Sequence, residues 1–208
     1  MLISVTGFIG SGKDTVADYL VANYNFKRES FASSLKDAIA TIFTWDRELL
    51  EGKTEEGRNW RDTVDPWWSQ RLGIPNLTPR WVLQYWGTEV CRQGFNDDIW
   101  IASLENKLKR TNENIIISDC RFPNEFKMIK KLDGHTLCIQ RDDLPIWYED
   151  ALLANEGITY HVEKLKSLNI HPSETAWIGL KFDDTIINNK TKRELYSIID
   201  DIILKIRN

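Results

Sequence analysis

The chain has 208 residues, 42% of them hydrophobic and 28% charged, with a formal net charge of -4. That bounds it to one globular domain, or one domain with an inserted lid, and gives no overall basic field to recruit nucleic acid. No stretch approaches the ~20 apolar residues a membrane span needs, and the opening MLISV, ended by Gly7, is too short for a secretory leader.

The first element is LISVT (2–6), a short β-branched run that suits a buried parallel strand. TGFIGSGKDT follows at 6–15, then KDTVADYLVANY, with Val16, Ala17, Leu20, Val21 and Tyr24 at helical spacing. Strand, glycine turn, helix is the setting of the phosphate loop G-x-x-x-x-G-K-[ST]. Backbone N–H groups around Gly10, Ser11 and Gly12 turn toward anionic oxygens, and the helix N-terminus faces the same charge. Lys13 adds a positive charge for the β- and γ-phosphates of a nucleotide. The position after it should be Ser or Thr but is Asp14, and Thr15 offers the hydroxyl for Mg²⁺ one residue later. The alternative is a glycine turn with no ligand.

FKRESFA (26–32) reads as a second strand, and SSLKDAIATIF (33–43) as a helix capped by Ser33 or Ser34. Lys36, early on that helix, is either a surface lysine or a site residue. Residues 44–77 mix charge, Trp, Gly and Pro with poor periodicity, and read as a lid, a substrate loop or a packed surface insertion. Arg58, Arg61 and Arg71 there supply the mobile positive charge that phosphoryl transfer needs. Trp45, Trp60, Trp67, Trp68, Trp81, Trp86 and Trp100 crowd the same half of the chain, as an aromatic core, a ring-stacking pocket or a homodimer face.

Thr78-Pro79 starts a helix to about Gln93, and a second spans about 97–110. The first carries Arg80, Gln84, Thr88 and Arg92 at steps of four, a stripe that alone reads as a solvated face. Gly87 costs about 1 kcal/mol inside a helix, which close approach to a ligand would explain. NIIISD (114–119) is a buried strand that ends in Asp119, where α/β folds place ligands. Asp119 suits Mg²⁺ through water, Arg121 a phosphate, and Glu125 an orienting or substrate contact; a helix-capping ion pair is the alternative. PNEFKMIKKL from Pro123 reads as a helix, HTLCIQR (135–141) and DTIINN (184–189) as strands, and TKRELYSIIDDIILKI (191–206) as a closing amphipathic helix. The alternation predicts an α/β fold with a mostly parallel sheet. Cys91, Cys120 and Cys138 lack metal spacing and point to no disulfide framework and a reducing cytoplasm. His135, His161 and His171 are scattered and read as structural or surface residues.

The ordered set SGKDT (11–15), F-A-x-x-L-K (31–36), L-Q-x-x-G-T-E (83–89) with Trp100, S-D-x-R-x-x-N-E (118–125), H-P-S-E (171–174) and I-x-N (187–189) resembles the phage-type deoxynucleoside monophosphate kinases over nearly the whole chain. The resemblance implies one phosphate-loop kinase domain over 1–208, with a parallel sheet flanked by helices, a lid or substrate insertion at about 44–77 and a helical substrate region at about 78–110. It implies ATP and Mg²⁺ as cofactors, a deoxynucleoside monophosphate as acceptor, no nucleic-acid or membrane partner, and a cytoplasmic setting. K-D-T is a normal ending of the loop in that family, so Lys13 and Thr15 keep their roles. Leu35 and Lys36 would border the acceptor; Arg80, Gly87, Thr88 and Trp100 would line its base and phosphate; Arg121 and Glu125 would contact it. Arg58 is chosen as the insertion arginine, with Arg61 close behind. Arg141 would meet the ATP phosphates, and Asn188 and Asn189 sit where related kinases place the adenine loop. Phosphomevalonate kinases are similar in part and dephospho-coenzyme A kinases more distantly; a nucleotide-dependent switch without an acceptor is the alternative outside the enzymes.

Overall fold

The computed structural model describes residues 1–207. The chain divides into two compact units, Met1–Ser30 together with the chain from Thr111 onward, and Phe31–Arg110.

The first unit is built on a five-stranded, all-parallel sheet in the order β2-β3-β1-β4-β5, with β1 Leu2–Thr6, β2 Phe26–Glu29, β3 Asn114–Ile117, β4 His135–Gln140 and β5 Asp184–Ile187. Central β1 pairs with β3 on one side (Ser4 beside Ile117) and β4 on the other (Thr6 beside Cys138). The chain direction across the sheet therefore reverses at β1, the point where α/β sheets open a crevice beyond their strand ends. The apolar run of each inner strand is what burial on both faces requires. Ile3, Val5, Ile116, Leu137, Ile139 and Ile186 pack with Val16, Ala17 and Leu20 of α1 (Lys13–Tyr24) and with Leu195, Ile199, Ile202 and Ile203 of α12 (Lys192–Arg207). The Tyr19 and Tyr24 hydroxyls both donate to Asp200 Oδ1 (2.7 and 2.6 Å), and Tyr19 stacks on Tyr196, so α1 and α12 are tied along their length. The hydrogen bond to Asp200 favours the neutral phenol and raises the Tyr24 pKa to about 12.

On the other face, α8 (Pro123–Lys131) buries Met128 and Ile129. Between β4 and β5 the chain forms α9 (Tyr148–Asn155), α10 (Thr159–Ser167) and α11 (Pro172–Thr175). Its Trp177, Ile178, Ala151 and Leu165 cluster with Cys138, and Phe8 of the glycine loop packs against Trp147, Tyr148 and Trp177.

The second unit is helical. It begins with α2 (Ser33–Phe43), whose N-cap is Ala32 rather than the expected Ser33 or Ser34; Ser34 Oγ bonds Ser103 Oγ instead. The stretch expected as an irregular excursion is three short helices, α3 Arg47–Glu51, α4 Glu55–Asp62 and α5 Pro66–Leu72. Each starts at a side-chain cap: Asp46 accepts from Glu48 N, Thr54 from Gly57 N and Asp65 from Trp68 N. None is longer than eight residues, too short to establish an apolar period. Thr78 caps α6 (Pro79–Tyr85) as expected, but from Trp86 to Gln93 the helix widens to π geometry, with Gly94 N on Glu89 O at 3.0 Å. Helix α7 (Ile99–Leu108) follows.

The tryptophans are core. Phe43 is surrounded by Trp45, Trp68 and Trp86, Trp45 meets Trp60 edge-on, and Trp60, Trp68, Trp86 and Trp100 all pack against a cluster that includes Leu35, Ile39, Leu50, Leu77 and Val82. Trp67 and Trp81 remain exposed, Trp81 stacked on Tyr85. Phe43→Ala is expected to lower unfolding free energy by about 3–5 kcal/mol in urea titrations, because the rings around Phe43 cannot all collapse into the space left.

Candidate active site

The loop between β1 and α1 is the best-formed site. Gly12 is the N-cap of α1, at φ 105° and with no side-chain cap, so the first N–H groups of the helix are left for an acceptor from outside the chain. A Cβ on Gly12 would be strained at that φ and would also meet Asn188 Nδ2. Two carbonyls of the loop are taken up from behind: Asn188 Nδ2 donates to Ser11 O (2.8 Å) and Arg141 Nε to Gly10 O (3.0 Å). Ser11 Oγ is buried and without a hydrogen-bond partner among the described residues. A cavity of about 240 Å³ opens here, lined by Gly10, Gly12, Lys13, Asp14, Thr15, Arg141, Asn188, Lys190, Lys192 and Leu195. Four of those side chains are cations and one is an acid. An uncapped helix start, a row of cations and an orphaned buried hydroxyl fit a nucleotide polyphosphate.

Asp14 does not cap the helix. Its Oδ1 accepts from Arg28 Nη2, and its Oδ2 lies 3.6 Å from Lys13 Nζ. Asn189, expected in the adenine loop, is turned away and donates to Asp142, while Asn188 lines the cavity. Lys190, Lys192 and Leu195 were not singled out from the sequence.

Beside this cavity lies a small enclosed recess lined by Thr6, Gly7, Lys13, Ser118, Cys120, Arg121, Ser173, Glu174 and Trp177. Lys13 belongs to both. Arg121 Nη1 donates to Glu174 Oε1 (2.8 Å) and Ser173 Oγ (3.3 Å), so the S-D-x-R and H-P-S-E segments meet in space. Burial pushes the Cys120 thiol above its ordinary range and the Cys138 thiol up to about 12, so neither is a nucleophile at neutral pH. Asp119 is half-buried between Ser118 and Cys120, at the end of β3. Among the described residues no group of three or more His, Cys, Asp or Glu could hold a metal ion. Of the two residues expected at Mg²⁺, Thr15 lines the larger cavity, and Asp119 lines neither it nor the recess. Glu125 has another occupation: its Oε2 accepts from Arg121 N (2.7 Å) and Phe122 N (3.1 Å), which caps α8. The three histidines are engaged in structure, His135 with Asp184, His161 with Asp150, and His171 as the cap of α11.

In the second unit the expected residues divide. Lys36 is committed to Glu51 (2.8 Å), which Arg47 also holds. Gly87 is buried, and a Cβ there would come within 2.9 Å of Leu35 Cδ2, a side-chain end that can move aside. Trp100 Nε1 donates to Gly87 O (3.0 Å), which joins Leu35, Gly87 and Trp100 in one contact chain; Thr88 beside them is exposed. Arg80 grips Asp62 with two nitrogens, and Arg58 donates to Lys53 O (2.9 Å). Arg61 lies across Gly52, and its buried Nε has no partner among the described residues. Burial first, then the charge of Arg80, lower its pKa below the ordinary arginine value, against the pull of Asp62 and Glu51. Arg58, Arg61 and Arg80 thus lie close enough for their charges to interact, with Asp62 paired to Arg80.

A wider groove, about 480 Å³, lies among Met1, Leu2, Lys130, Gly134, His135 and Asp183, away from the loop. Its Lys130 and Asp183 neutralise each other at 2.8 Å. No described helix is long and apolar enough to cross a membrane.

No protein-family model matches the chain. It is 32% identical to a protein of Acanthamoeba polyphaga mimivirus named provisionally as a deoxynucleotide monophosphate kinase, over 96% of this chain and 94% of that one. It is 24% identical to the deoxynucleoside-5'-monophosphate kinase of Escherichia phage T5, over 96% of each. Among solved structures it is similar to a shikimate kinase from Aquifex aeolicus (16% identity, TM-score 0.46, 100% of this chain and 96% of that one) and a dephospho-CoA kinase from Campylobacter jejuni (14%, 0.43, 99% and 96%). The chain belongs to the deoxynucleoside monophosphate kinase family.

Burial pushes the Glu51 carboxyl up, but hydrogen bonds from Lys36 and Arg47 outweigh it and hold the pKa at about 2 against an ordinary 4.5. A depressed acid contributes stability that is complete above the unfolded value and lost as pH falls through the folded one. Glu51→Gln should therefore be less stable than wild type at pH 7 in urea unfolding, and the gap should close between about pH 5 and pH 2.

Proposed function

We propose that the chain transfers the γ-phosphoryl group of ATP to a deoxynucleoside 5'-monophosphate and releases ADP and the diphosphate. The observation that carries this reading is Lys13, the one motif cation that lines both the nucleotide-sized cavity and the adjoining recess with Arg121. The cavity takes the donor, with Leu195 an apolar wall for the base and Lys13, Arg141, Lys190 and Lys192 opposite the phosphates. Thr15 and Asp119 would hold Mg²⁺, which when bound neutralises charge on the phosphates.

The acceptor is itself a phosphate, largely ionised at neutral pH, so one of its oxygens attacks the γ-phosphorus without a strong base. The bond from the γ-phosphorus to the β,γ-bridging oxygen breaks, and ADP carries that oxygen away. The protein contributes in-line positioning and charge. Lys13 and Arg121 face the migrating group, and the loop N–H groups steady the charge that grows on ADP. For the acceptor, the Arg58, Arg61 and Arg80 cluster supplies the phosphate site, and Leu35, Thr88 and Trp100 border the nucleoside. Arg61 takes precedence over Arg58 because its Nε is buried and unpaired, whereas Arg58 already donates to Lys53 O.

Incubation with ATP·Mg²⁺ and a panel of deoxynucleoside and ribonucleoside monophosphates and phosphomevalonate should yield deoxynucleoside diphosphates. Diphosphate of phosphomevalonate alone, or slow ATP hydrolysis with no product diphosphate, would overturn the reading in favour of another kinase or a switch. Lys13→Ala should lose turnover by at least about a thousandfold with an unchanged melting temperature. Arg61→Ala should raise the acceptor KM about tenfold and leave the ATP KM in place, measured by steady-state kinetics.

A further inference from the structure

Arg28, at the carboxyl end of β2, belongs to no loop motif, yet it makes four hydrogen bonds beside the loop. Its Nε and Nη2 donate to Ser118 Oγ (3.1 and 2.7 Å), Nη1 donates to Asp18 Oδ1 (3.0 Å), and Nη2 also donates to Asp14 Oδ1. Ser118 is buried at the end of β3, so the guanidinium is fixed from the sheet side and presented to the first turn of α1. The charges need this arrangement. Asp14 lines the donor cavity, and a bare carboxylate there would repel a polyphosphate. Its other neighbour is Lys13, 3.6 Å away, the cation the phosphates require. Lys13 carries a single charge. If it alone balanced Asp14, the loop would approach a nucleotide with that charge already spent.

We infer that Arg28 is a positioning residue for the donor nucleotide. It offsets the Asp14 carboxylate with a guanidinium that Asp18 also shares and holds it toward β2, so that Asp14 draws less on Lys13. This rests on the reading that the loop binds the donor polyphosphate. It answers why a K-D-T ending tolerates an acid where other loops carry a hydroxyl. A purely structural strap between β2, β3 and α1 would use the same contacts, but it would not depend on the charge of Asp14.

The test compares wild type, R28A, R28K, D14N and R28A/D14N for ATP binding by calorimetry, for donor KM and kcat, and for melting temperature. R28A should weaken ATP binding and raise the donor KM about tenfold, with kcat changed less than about threefold. The deficit should shrink as ionic strength rises, because Asp14 is mostly exposed and its repulsion is screened. R28K should retain most of the affinity. R28A/D14N should return to within about threefold of wild type, a coupling that removal of a strap cannot produce. Should R28A fail to fold, Arg28→Gln with and without Asp14→Asn makes the same comparison, since the amide can still bond Ser118. Wild-type affinity in the single variant, or a double variant no better than it, overturns the inference. A wild-type protein that binds no ATP overturns the donor reading as well.

Discussion

Helix α1 starts at Gly12 with no side chain to satisfy its first N–H groups, at a strand-to-helix turn in the middle of a parallel sheet. A helix end of this kind needs an acceptor, and much of the first unit is arranged so that the protein does not supply one. The Ser11 and Gly10 carbonyls, which would present negative ends to an anion, are bonded from behind by Asn188 and Arg141. Those two residues stand just beyond β5 and β4, the strands on one side of β1. The strand order thus does more than close the core: it delivers the donors that leave the turn electropositive.

Charge is sorted with similar economy across each unit. Glu51 is balanced by Lys36 and Arg47, Asp150 by Lys164, and Asp183 by Lys130. Against this background of paired acids, the imbalances are informative. Lys13, Arg141, Lys190 and Lys192 face one cavity that holds a single acid, and Arg58, Arg61 and Arg80 gather with one of them unpaired at Nε. Excess positive charge on a protein that is acidic overall marks where anions go.

The frame of the fold was legible in the sequence because its signals are local. Apolar β-branched runs marked β1, β3 and β4, glycines marked the turn, and the pair Thr78-Pro79 marked a helix start. The misreadings also have local causes. The α3–α5 stretch hid three helices because each is too short to show a period, although Asp46, Thr54 and Asp65 were visible caps. Lys36 carries the right chemistry for a substrate, but its partner Glu51 is one that only the folded chain reveals, and Glu125 takes the capping role that was its alternative reading. Arg28 and Leu195 were passed over for the converse reason. Each looks ordinary along the chain and gains its meaning from distant neighbours, as Arg28 does from Ser118, 90 positions away.

The two tyrosines that share one oxygen of Asp200 sit in the second half of α1, about 10 and 18 Å along the axis from Gly12. They fasten α1 to α12, and α12 carries Lys192 and Leu195 at its own beginning. Both walls of the cavity therefore begin on helices that the core and this joint hold side by side. Residues that no nucleotide touches thus help to set the spacing between the walls.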